Sequence, residues 1–165
     1  MQLADSRYIQ RSPQSVRVAV IMERRALASR WQSETWQPVA VVPDEPDAAA
    51  PRVILEESGR SQWLHPGFEI VLHRDEAEGY YLNLTTSQPY MFVMWRMHDD
   101  CAVPEIVTPS YHEAARLMDG GAQVDGVPLP EELAAWLATY VDANYRPEPK
   151  KRARPPSFKG ARRDD

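Results

Sequence analysis

Cysteine is nearly absent from this chain: Cys101 is the single copy in 165 residues. That excludes a disulfide scaffold, and any zinc or iron–sulfur centre built mainly from thiolates, because those need about two to four cysteines. Glycine is scarce as well, and no glycine-rich stretch precedes a helix start, so the backbone cradle of a phosphate loop is missing. No apolar run approaches the ~18 residues of a membrane-spanning helix, and the opening stretch MQLADSRYIQRSPQS has no hydrophobic signal region, so a cytoplasmic protein is expected. There is no GxSxG, no HExxH and no alternating strand–helix order of the kind that seats a dinucleotide. The adjacent carboxylate pairs Glu56-Glu57 and Asp99-Asp100 would point to opposite faces of a strand, a poor arrangement for sharing one reacting centre.

Lysine is missing from most of the chain. Lys150, Lys151 and Lys159 are the only copies, and they belong to a basic segment. Residues 146–165 carry eight bases and three acids, a sum of +5, which leaves 11 bases against 21 acids, or −10, for residues 1–145. Four prolines among the charges of residues 146–157 leave little to bury. The expected organisation is a frayed segment over 1–14, one α+β domain over 15–146 and a basic, proline-rich disordered tail over 147–165.

Within the domain the hydrophobic period is mostly two. Val16, Val18, Val20 and Met22 alternate with other residues in a first strand, and Val39–Val42 and Val53–Glu57 suggest two more. Phe68–Leu72 and Tyr80–Thr85 read as a hairpin turned by Asp75–Gly79. Tyr90–Met97 is apolar on both faces, as in a central or covered strand, and Glu105–Thr108 adds a short one. The period then becomes 3.6. Ser110 and Glu113 are spaced as a capping box opening a helix that stops at Gly120-Gly121. A longer helix begins at Pro130, with an apolar stripe of Leu133, Trp136, Leu137, Tyr140 and Val141. The expected fold is α+β: an antiparallel sheet or small open barrel of six to seven strands packed by two C-terminal helices.

Three groups of residues are candidates for function. Arg24, Arg25 and Arg30 lie near Trp31 and Trp36 in a segment read as leaving the first strand. Guanidinium forks pair with carboxylates or phosphates and stack on indoles, so this block could receive an acidic peptide or a phosphate-bearing cofactor; alternatively, the indoles fill the core and the arginines satisfy the body's own acids. His98 and Cys101 flank two aspartates and could converge on a metal or form an activated thiol, against the plainer reading of a polar turn. Lys150, Lys151, Arg152 and Arg154 could attract nucleic acid or an anionic surface, although the −10 body opposes that. His65, His73 and His112 read as turn, hairpin-end and cap residues rather than catalytic ones.

The segments Met22–Val41, Ser110–Gly121 and Val127–Trp136, with Tyr145-Arg-Pro-Glu-Pro, resemble a bacterial domain family of unknown function, the one numbered thirty-three-oh-five. The resemblance spans roughly residues 16 to 150. It implies a gene context beside molybdenum-dependent formate dehydrogenase, its maturation factors and a ferredoxin-like subunit, and it supplies no catalytic residues. The resulting expectation is a non-enzymatic accessory or assembly protein that binds a formate dehydrogenase subunit or maturation factor and carries no cofactor of its own. The alternatives are a nucleic-acid or anionic-surface binder acting through the basic tail, and a small thiol enzyme or carrier centred on Cys101.

Overall fold

A computed structural model describes residues 12–45, 47 and 50–147. In chain order the elements are β1 (Ser15–Ala26), β2 (Glu34–Pro43), β3 (Arg52–Glu57), β4 (Arg60–Val71), a single 3-10 turn (Arg74–Glu76), α1 (Ala77–Leu84), β5 (Tyr90–His98), β6 (Cys101–Thr108), α2 (Tyr111–Asp119), β7 (Gln123–Pro128) and α3 (Glu131–Asn144). The strands form two antiparallel sheets, ordered β2-β1-β4-β3 and β6-β5-β7. β2 lies against β7 and β4 against β6, but neither seam is bridged by a hydrogen-bonded ladder. Among the described residues the fold is therefore α+β, with seven strands split between two sheets in place of the single sheet or small open barrel expected, and it is not a closed barrel.

β1 occupies the middle because it is the strand most able to be buried. Val16, Val18, Val20 and Met22 are fully inaccessible, and Ala19 on the opposite face is small enough to be covered as well. Each buried aliphatic contributes on the order of 2 kcal/mol. They share one cluster with Met91 and Val93 of β5 and with Leu133, Trp136, Leu137, Tyr140 and Val141 of α3, the stripe whose spacing marked it as a buried face.

Several boundaries differ from those read in the sequence. Tyr80–Thr85 is not a strand: Ala77–Leu84 is helical, so no hairpin joins it to β4. Ala77, Tyr80 and Asn83 are buried at intervals of three, and Gly79 faces α2 so closely that a Cβ there would collide with Ser110 Oγ. Contact between helices decided the local conformation over an ambiguous apolar pattern. His65 lies in a strand and not a turn, because β4 starts at Arg60 and runs through Pro66-Gly67. The register against β1 shifts between Val18 and Val20 beside these residues, a bulge that accommodates a proline and a glycine at positive φ. β2 likewise extends back past Pro38, at a second register shift on a sheet edge. β7 had no signal in the sequence, since Asp125, Gly126 and Pro128 are poor strand formers.

Half of the predicted capping box forms. Ser110 Oγ accepts from the Glu113 amide at 3.1 Å, but Glu113 does not reach back to the Ser110 amide. Thr108 Oγ1 stands between them, accepting from Ser110 N–H at 3.1 Å and donating to Glu113 Oε2 at 2.7 Å. Ser110 Oγ in turn donates to Glu76 Oε2 at 2.5 Å, tying α2 to the start of α1.

Candidate functional site

β1 continues through Ala26, so Arg24 and Arg25 sit on the strand instead of leaving it, and consecutive strand residues face opposite ways. On one face Arg24 donates to Glu34 Oε2 at 3.1 Å and to Ser61 Oγ at 3.2 Å. Trp36, paired with Arg24 across the ladder, is 9% exposed, stacks at 5.1 Å on Trp63 and donates from Nε1 to Glu34 Oε1 at 3.3 Å. On the other face Arg25 donates to Glu23 Oε1 at 2.5 Å, Gln62 donates to Glu23 Oε2 at 2.7 Å, and Arg60 lies 3.6 Å from that carboxylate. Burial raises the Glu23 pKa, but these donors and cations outweigh it and hold the carboxyl below its ordinary value.

The arginine–tryptophan block thus divides. Arg24, Arg25 and Trp36 satisfy the body's own carboxylates and core, whereas the tip of the β1–β2 hairpin is presented to solvent. Trp31 is 94% exposed and Leu27 39%. Arg30 is exposed beside them, with no carboxylate in salt-bridge range among the described residues. Tryptophan and arginine are both enriched in protein-binding hot spots, and here an indole left almost wholly in water stands next to an unpaired guanidinium.

Below this tip the seam between β2 and β7 opens into a cleft of about 550 Å³, lined by Glu34, Trp36, Trp95, Met97, Gln123 and Asp125 among others. An adjoining cleft of about 540 Å³ shares Trp95, Met97 and Gln123 and continues to Gly120–Ala122. Trp95 Nε1 donates to Asp125 Oδ2 at 2.6 Å, and Gln123 Nε2 reaches the same oxygen at 3.2 Å. Trp95 and Asp125 escaped the sequence reading for different reasons. Trp95 falls in a strand apolar on both faces, where one indole does not stand out, and Asp125 lies in the strand that left no signal.

His98 and Cys101 are directly opposite each other at the end of the β5–β6 ladder, across the two-residue turn Asp99-Asp100, with Asp99 at φ 54°. His98 Nε2 meets Glu105 Oε1 at 2.8 Å, and Arg96 contacts the other oxygen of that carboxylate at 3.2 Å. Cys101 is exposed. Among the described residues, no group of three or more His, Cys, Asp or Glu side chains is placed to hold a metal ion. His65 is 8% exposed, and burial pushes its pKa below the ordinary value. His73 lies just before the 3-10 turn, its amide donating to Tyr80 Oη at 3.1 Å, and His112 is 3.8 Å from Glu78 at the start of α2. Lys150, Lys151, Arg152 and Arg154 lie outside the described residues.

No helix among the described residues is long and apolar enough to cross a membrane. No curated protein and no solved structure matches the chain. A family model described as "Protein of unknown function (DUF3305)" matches residues 17–154, from β1 through α3 and beyond, so the chain belongs to the DUF3305 family.

Proposed function

We propose that this protein is a non-enzymatic accessory or assembly factor of a molybdenum-dependent formate dehydrogenase system, acting by protein–protein binding through the β1–β2 hairpin tip. The identity of the system rests on the gene context that the family resemblance implies. The observation that carries the binding mode is the 94% exposure of Trp31 beside Arg30. An indole kept in water contributes nothing to the fold, yet on docking it removes a large apolar area from solvent, with a guanidinium adjacent to pair with a partner carboxylate.

The test is copurification of the tagged full chain with formate dehydrogenase subunits or their maturation factors. Trp31→Ala and Arg30→Glu are expected to abolish it without changing the melting temperature, since neither side chain supports the fold. Arg24→Glu is the wrong probe: it breaks the contacts to Glu34 and Ser61 and confuses binding with folding. Absence of copurification, together with undiminished formate dehydrogenase activity in a deletion strain, rejects the proposal.

A further inference from the structure

The groove along the β2–β7 seam holds a carboxylate that the fold leaves without a counter-charge. Of the two acids lining its upper cleft, Glu34 is already neutralised by Arg24. Asp125 is not. Its carboxylate accepts from Trp95 Nε1 and Gln123 Nε2, both neutral donors, and among the described residues no cation lies within salt-bridge range of it. Arg96, which lines the adjoining cleft, is engaged by Glu105. Trp36, Trp95 and the half-exposed Met97 share the lining with Asp125, among polar side chains that include Gln32, Thr35, Gln37 and Gln123.

We infer that this groove is a receptor for an arginine side chain presented by an extended segment of a partner protein. A guanidinium is flat, so it can lie against an indole while its fork bonds to a carboxylate, and this site offers both groups side by side. An anionic ligand would meet the uncompensated charge of Asp125 and is disfavoured. A lysine ammonium would find the charge but gain less from the flat walls and cannot bond in a fork. The two clefts share Trp95, Met97 and Gln123 and so adjoin, which leaves room for extended chain beside the arginine. The site adjoins the hairpin loop through Gln32 but uses neither Trp31 nor Arg30, and it does not depend on the formate dehydrogenase assignment.

Fluorescence anisotropy of the full chain with a short fluorescein-labelled peptide, carrying one arginine in a serine–threonine background, tests this. Saturable binding is expected, weaker with lysine and lost with glutamine in its place. Asp125→Asn retains an acceptor for Trp95 Nε1 while removing the charge, and is expected to weaken binding about tenfold. Glu131→Gln makes the same change in net charge at a residue that lines neither cleft, and is expected to leave binding unchanged; an unaltered melting temperature shows both variants folded. Equal losses in the two variants reduce the effect to general attraction by the acidic body and overturn the proposal, as does a glutamine peptide that binds as well as the arginine one, or no saturable binding at all. Two other occupants are also distinguishable. Binding seen only after Lys150, Lys151, Arg152 and Arg154 are replaced by serine assigns the groove to the chain's own basic segment. Self-association reversed by the peptide assigns it to a second copy. Either result overturns the assignment to a partner protein.

Discussion

At the residue scale, three titratable groups with lowered pKa values, one histidine and two carboxyls, set how stability depends on pH in the acid range. His65 has its pKa lowered by burial, so the folded chain resists taking up a proton that the unfolded chain accepts at the ordinary value of 6.5. Its stabilising effect is complete above pH 6.5 and declines as the pH falls toward the depressed folded value. Glu23 is also depressed, from an ordinary 4.5, because Arg25, Gln62 and Arg60 outweigh the burial that raises it. Glu76, depressed by Ser110 and Arg116 against the same opposing effect of burial, behaves alike. Both carboxyls lose their contribution only below pH 4.5. Acid unfolding followed by urea titration is therefore expected to show an upper step beginning near 6.5 and a lower one beginning near 4.5. His65→Leu should remove the first and leave the second; an upper step that survives this substitution would show that another group causes it.

At the element scale, Asn83 ties helix α1 to the end of the β5–β6 ladder. It is 1% exposed on α1; its amide donates to the carbonyls of Tyr90 at 2.7 Å and Pro109 at 2.9 Å, and its Oδ1 accepts from Tyr90 N–H at 2.9 Å. One side chain thereby serves the start of β5 and the loop between β6 and α2. Asn83→Ala strands buried backbone groups and is expected to cost about 3 kcal/mol, read from the urea midpoint at constant slope. A loss under about 0.5 kcal/mol, the scale of an ordinary surface substitution, would mean that water replaces it without penalty. The same region explains the misread strand. Tyr80, Leu82 and Leu84 alternate well enough for a strand, and only the approach of α2 at Gly79 and the bonds of Asn83, both long-range, select the helix.

At the scale of the whole molecule, the two sheets share one core, although no hydrogen-bonded ladder joins them. Val16 to Met22 of β1, Met91 and Val93 of β5 and the α3 stripe belong to a single buried cluster, so neither sheet has an apolar face to keep once the other departs. Tryptophan fluorescence, with Trp36 and Trp63 on one sheet and Trp95 on the other, and far-UV circular dichroism are expected to give one coincident transition. Two resolved transitions would mean that the sheets fold as separate units. The unladdered seam is also what leaves the groove around Asp125 accessible while the core stays sealed beneath it.

The local pattern alone determined a good deal. Period-two alternation marked β1 and the end of β4, a run apolar on both faces marked β5, a Ser–Glu spacing and a pair of glycines bounded α2, and five residues at helical spacing identified the buried face of α3. The charge arithmetic separated an acidic body from a basic segment. Short-range signals of this kind are legible because side-chain direction repeats with the backbone period, whatever the rest of the chain does. What the tertiary structure decided is everything that depends on which residues meet across distance: the division into two sheets, the helix at Ala77–Leu84, the strand at Gln123–Pro128, and the fate of the arginine–tryptophan block. In one dimension Arg24, Arg25, Arg30, Trp31 and Trp36 form a single cluster. In three, the continuation of β1 puts Arg24 and Arg25 on opposite faces, packing buries Trp36, and the hairpin turn leaves Arg30 and Trp31 in solvent.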